Sequence, residues 1–460
     1  MNINDSFRYL NTGLPEDILR RKLHGDFDGA IRLIDRRLAM ENIPEELRAC
    51  LTAQREMICR LPKDYPYSRD EAIAIVREHI PDFTEEEFDE RVDAGKIGWI
   101  YVKGEMRVFN RFFATMCKAE PAFAQRAGVT TYGVESAGKG ASLLDKSMAI
   151  MKEKGARANR IRIRAGLKVK DELFTPGMFV RVHLPIPADC EQQSDIVIEG
   201  IWPENGTIDP SDALQRTVCW EVQLTENHEF TVEYSYTHKA VYHDVSKIAA
   251  DEVQPTFCTE EEAPHIIFTP YIKNLAASLT EGVADPLEKA RRFYDFITLN
   301  MKYTFMPAYF VLENIPETCA RNFTGDCGVF ALLFLTLCRC AGIPAQWQSG
   351  LTAEPDFCGG HDWVRFYIAP YGWLYADTSY GTAAVRQENE ERRKFYFGNL
   401  DPYRMVANSA FQAPFLHDKT HWRADPYDNQ VGEVETADKG LDFDEYERWK
   451  EVLECTQLDH

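Results

Sequence analysis

Three residues carry the chemistry that this sequence can be asked about. Cys327 stands in Gly325-Asp326-Cys327-Gly328, where a polar turn gives way to the apolar run 329–338. His361 stands in Gly359-Gly360-His361-Asp362-Trp363, and Asp377 ends Trp373-Leu374-Tyr375-Ala376-Asp377. A thiol, an imidazole and a carboxylate are what nucleophilic acyl chemistry requires: a nucleophile, a base that takes its proton, and an acid that fixes the base's tautomer. Each residue alone also fits a plainer role, as a core thiol, a satisfied strand histidine or a turn-capping aspartate. Their order, with glycines flanking both Cys327 and His361, favours the catalytic reading.

The elements that must position them follow from local signals. Asp326 is a candidate N-cap for a helix that stops at Ala341-Gly342-Ile343-Pro344, so Cys327 falls in the first turn. Free N–H groups and the helix dipole favour a thiolate there. Residues 359–368 read as a strand with His361 at its mouth. Ala369-Pro370-Tyr371-Gly372 reads as a type I turn with Gly372 in the left-handed position, and 373–377 as the return strand. Pairing Ala369 with Trp373 puts His361 and Asp377 on one face of the hairpin. It also sets Asp377 opposite Arg365, about 13 Å along the strand from His361, so a pivot nearer Ala369 or a bulge is required. Asp362 is the competing acid, on the opposite face of the strand.

With these motifs in view (G-D-C-G-x-F-A, C-A-G-I-P-A, G-H-D-W-V and G-W-x-Y-A-D-T-S), residues 260–385 resemble the transglutaminase-like superfamily, whose papain-like fold serves transglutaminases and many bacterial thiol peptidases. The resemblance implies Cys327 as nucleophile, His361 as general base and Asp377 as its orienter. It also implies an oxyanion-holding side chain some twenty positions before the cysteine, where Tyr303 matches best. The activity it implies is a cysteine-dependent amide hydrolase or acyl transferase on a peptide or protein substrate, most simply a peptidase. Protein-glutamine transamidation and a non-catalytic interaction scaffold are the alternatives.

Composition sets the bounds. The chain has 460 residues, 45% apolar and 27% charged, enough for several domains. Its net charge of −21 opposes nucleic acid and an anionic membrane surface as partners. There is no apolar run of membrane-spanning length and no signal-like N-terminal segment, so a cytoplasmic protein is expected. The twelve cysteines form no repeating frame and no C-x-x-C pair. Cys338 and Cys340 read as core thiols and Cys358 as a bystander, with no metal or cofactor expected. Oligomeric state is left open.

The fold class expected is α+β: a papain-like transglutaminase core preceded by an antiparallel β domain and an N-terminal helical domain. The division reads as 1–135 helical, with a hairpin about Lys103-Gly104 that resembles a winged helix; 136–255 a linker helix and β domain; 256–430 catalytic; and 431–460 an acidic tail ending in an amphipathic helix over 443–453. Period-two alternation over Arg160-Ile-Arg-Ile-Arg and four later segments marks the β domain. The run 388–394 reads as a solvated helix face, and 378–381 as a turn leading away from the site.

Overall fold

A computed structural model describes residues 2–129 and 142–458. The expected boundary at 135/136 and the glycine-led start of the linker lie outside the described residues. The fold is α+β, and it divides into two compact units: Met1–Gly140 with Glu262–Ile267 and Met301–Asp326, and Ala141–Glu261 with Phe268–Asn300 and Cys327–His460. This cut differs from the sequence-based one. The β domain and the strands carrying His361 and Asp377 fall in one unit, and stretches near 262 and 301–326 go with the helical unit.

In the helical unit, local capping chemistry sets the helix starts. Ser68 and Thr84 each form a complete capping box, heading the helices Arg69–His79 and Glu85–Asp93. The hairpin Trp99–Val102/Glu105–Val108 turns on Lys103 and Gly104, both at positive φ. Tyr67–Ser68 adds a third strand to it.

In the second unit the five alternating segments are strands: Ala156–Val169, Met178–Pro185, Gln193–Trp202, Thr217–Leu224 and Phe230–Val241. They belong to two four-stranded antiparallel sheets. Each sheet is completed by a strand from the end of the chain. Glu433–Thr436 joins Met178–Pro185, and Tyr446–Leu458 lies along Ala156–Val169. The amphipathic helix expected over 443–453 is therefore a strand. It pairs along Ala156–Val169 over nearly its whole length, from Tyr446 opposite Val169 to Leu458 opposite Ala158, so the partner that makes it a strand lies far away in the chain.

A five-stranded antiparallel sheet carries the candidate residues, in the order Phe397–Gly398, Gly372–Ala376, Phe357–Ile368, Ala345–Glu354, Arg404–Asn408. The helix Cys327–Cys340 packs on it, buried from Gly328 to Cys338. Phe334 meets Phe366 edge-on, with ring centroids 5.6 Å apart. Gly342, at φ +75°, closes the helix in a Schellman arrangement: its N–H reaches Arg339 and the Ile343 N–H reaches Cys338. Helices Pro270–Leu279 and Pro286–Asn300 form where expected. The run 388–394 is a correction. It contains the helix Glu390–Phe395, but Arg392 and Arg393 are each only 7% exposed, held by Asp145 and by Asp295 with Glu390.

One hydrophobic core unites the sandwich with this sheet: Ile161, Val182, Trp220 and Tyr234 pack with Leu351, Ala353, Met405 and Ala407. Leu351→Ala should cost about 2–5 kcal/mol. It should lower the melting of sandwich and site-bearing sheet together, as a single shifted transition. Calorimetry that shows two transitions, with only one moved, would contradict the shared core.

Candidate active site

Cys327 opens its helix, as the sequence predicts. His361 is the fifth residue of the strand Phe357–Ile368, inside it rather than at its mouth, and faces Gly350 on the neighbouring strand. The hairpin register resolves the distance problem. Ile368 pairs with Gly372 and Val364 with Ala376, so the turn pivots on Pro370, one residue earlier than the expected pairing. Gly372 has φ +98°, in the left-handed region the turn demands. Extending this register sets Asp377 across from Trp363, two residues from His361 and on the same face. Nε2 of His361 and Oδ2 of Asp377 are 2.7 Å apart.

Asp377 is 0% exposed and ends its strand as the N-cap of the helix Thr378–Arg386. Its Oδ1 accepts from the Tyr380 N–H at 2.8 Å and the Ser379 hydroxyl at 3.2 Å. Its Oδ2 also lies 2.9 Å from Nη1 of Arg404. That contact is an ion pair without hydrogen-bond geometry, since Nη1 has no hydrogen-bond partner. Burial raises the pKa of this carboxyl, but the charges of His361 and Arg404 and the bonds from His361 and Tyr380 outweigh it, leaving a pKa of about 2. Arg404 is itself fully buried, with Nε on Asp401 at 3.1 Å, and its guanidinium lies 4.4 Å from the Tyr380 ring centroid. His361 is lowered too, for the opposite reason. Burial lowers its pKa, partly offset by Asp377, so the imidazole is held neutral with Nε2 on Asp377.

Asp362 lies on the other face of the strand, as alternation requires, and it meets Cys327. Sγ of Cys327 donates to its Oδ2 at 3.2 Å. The structure thus joins His361 to Asp377, and Cys327 to Asp362. Tyr303 is buried on the short strand Lys302–Tyr303, paired in parallel with Thr324–Gly325. The Lys118 ammonium lies 4.0 Å from its ring centroid.

Four neighbours went unread in the sequence. Tyr380, expected in a turn leading away, stacks at 4.8 Å on the His361 ring, because Asp377 starts a helix instead of a loop. Arg404 lay in plain view as a lone charge before the apolar run Met405-Val406-Ala407, a usable signal of a paired buried cation. Gln430 and Asp428, which reach Asp362, carry no local signature at all.

Residues 273–378 match the model of the transglutaminase-like superfamily. That segment is a transglutaminase-like core. It holds Tyr303, Cys327, His361 and Asp377, while Arg404, Asp428 and Gln430 lie beyond it. Among solved structures, a candidate cysteine protease of Cytophaga hutchinsonii is 16% identical, with TM-score 0.40, over 66% of this chain and 92% of that one. The periplasmic domain of TgpA from Pseudomonas aeruginosa is 13% identical, with TM-score 0.29, over 51% and 92%. No curated relative matches the chain. Among the described residues no helix is long and apolar enough to cross a membrane.

The buried groups of this unit predict acid sensitivity. His238 is held neutral by burial, at about 3, while an unfolded histidine takes a proton below about 6.5. Stability is therefore complete above about pH 6.5 and is lost as pH falls toward 3. Asp377 adds a second loss as pH falls from about 4 to 2. Between pH 6.5 and 5 the His238 contribution is about 2 kcal/mol. Urea melts of His238→Leu should lose that much less over this interval than the unmodified chain; an equal loss contradicts the assignment.

Proposed function

We propose that the transglutaminase-like core is a cysteine-dependent acyl-transfer enzyme acting on amides of peptides or proteins, with hydrolysis as its main outcome. The observation that carries this reading is the buried His361–Asp377 pair, 2.7 Å apart, in the same compact unit as a cysteine that opens a helix. Cys327 attacks the amide carbonyl. Asp377 holds Nε2 of His361, which leaves Nδ1 to take the thiol proton and then deliver it to the departing amine. The Cys327 N–H, at the start of its helix, is the oxyanion donor this unit supplies. Water or an amine then releases the acyl group from sulfur. The two outcomes use the same residues, and water in large excess wins unless the site excludes it.

The substrate is a peptide or protein amide, and no cofactor enters the reaction. Transamidation is the second reading. A scaffold that merely retains the fold is disfavoured by the survival of Cys327, His361 and Asp377 together, embedded in a network that includes a fully buried Arg404.

The test is a peptide library incubated with the full chain, with and without a primary amine, followed by mass spectrometry. Cleaved peptides are expected, amine adducts would shift the reading to transamidation, and silence would favour the scaffold. Cys327→Ala should abolish turnover. Asp377→Asn should retain more activity than Asp377→Ala, because an amide oxygen still accepts the imidazole N–H. Turnover per folded molecule unchanged in Asp377→Ala would remove Asp377 from the mechanism.

A further inference from the structure

The contact between Cys327 and Asp362 has no part in the mechanism above, and it bears on the same reacting atom. Sγ donates to Oδ2 of Asp362 at 3.2 Å. The rest of that carboxyl is tied down. Oδ1 accepts from Nε2 of Gln430, which also reaches Oδ2 of Asp428 at 3.1 Å and the backbone oxygen of His361 at 3.5 Å. Asp428 is thus tied to Asp362 through the one Gln430 amide. Asp362 and Asp428 are each 5% exposed. Gly360 leaves the room for this: a Cβ there would fall 2.3 Å from Oε1 of Gln430, so any side chain would have to displace that amide.

Burial raises the pKa of Asp428, which favours its protonated form, against its bond to Gln430 and the charge of Arg423. Asp425 adds a second carboxyl beside Asp428, also pushed up by burial and by Asp428. On the other face of the strand stand His361, Asp377 and Arg404, and Asp326 precedes Cys327 in the chain. The Asp362 carboxyl, 3.2 Å from the sulfur, opposes loss of the thiol proton while accepting it in a hydrogen bond.

We propose that Asp362 is a further catalytic residue that holds Cys327 as a resting thiol, in competition with His361. This rests on Cys327 being the nucleophile of the reading above. On activation the S–H···Oδ2 bond breaks and the proton passes from sulfur to Nδ1 of His361. His361 and Asp362 are adjacent on one strand and on opposite faces: Asp377, just past the end of the next strand, serves the base through His361, and Asp362 restrains the nucleophile.

The rate of Cys327 alkylation by iodoacetamide, resolved by peptide mapping across pH, reads the thiolate directly. In the unmodified full chain this rate should still be rising between about pH 7 and 9; a rate already flat there overturns the proposal without any variant. Asp362→Asn should move the rise about one pH unit lower, making alkylation about tenfold faster on its acid side. Asp362→Ser should move it the same way and serves if the amide variant fails to fold. An unmoved profile in a folded variant overturns the proposal, because a purely structural Asp362 would change melting and leave the pH profile in place. A shifted profile in a chain with no amide turnover would sink the acyl-transfer reading and keep the contact. Turnover with an unshifted profile would do the reverse.

Discussion

A carboxylate with no access to water must be neutralised by protein, and Asp377 is such a group at the centre of this unit. Its oxygens are met by His361, the Tyr380 N–H, the Ser379 hydroxyl and the Arg404 guanidinium. Each partner comes from a different part of the chain: the central strand, the first turn of a helix, and an edge strand. Placing one charge correctly therefore fixes the hairpin register, the start of the Thr378–Arg386 helix and the position of the Arg404–Asn408 strand. Breaking a buried pair of this kind costs about 3–5 kcal/mol, so the network holds the fold as well as the imidazole.

The strand Phe357–Ile368 divides the chemistry between its faces. His361 and Trp363 look one way, toward Asp377 and Arg404; Asp362 and Phe366 look the other, toward the cysteine helix. A period of two thus sets adjacent residues to opposite tasks. The helix N-terminus draws the thiol toward its charged form, and the Asp362 carboxyl draws it back. The balance between those two fields, and not the cysteine alone, sets how much nucleophile exists at a given pH.

What the sequence made legible was local. The cysteine helix with its glycine stop, the Lys103-Gly104 hairpin and five alternating strands all follow from neighbours a few residues apart. The transglutaminase-like core and its three candidate residues were legible because their motifs are contiguous. What stayed hidden depended on distant partners. The segment 446–458 has spacing that suits a helix, and becomes a strand by pairing along Ala156–Val169, which is far away in the chain. Arg392 and Arg393 look solvated until Asp145 and Asp295 arrive from elsewhere. The hairpin register differed by a single residue of pivot, which local turn rules do not distinguish. Gln430 and Asp428 reach the site from a loop with no motif of its own.

The central claim is that Cys327 forms a covalent acyl intermediate. The most direct measurement is to mix the full chain with p-nitrophenyl acetate, quench within the first turnover, and map the acetyl group by mass spectrometry while following p-nitrophenol. The account predicts a burst of about one p-nitrophenol per chain, with the acetyl group on Cys327. An acetyl group spread over other thiols, or no burst with Cys327 unmodified, would contradict it.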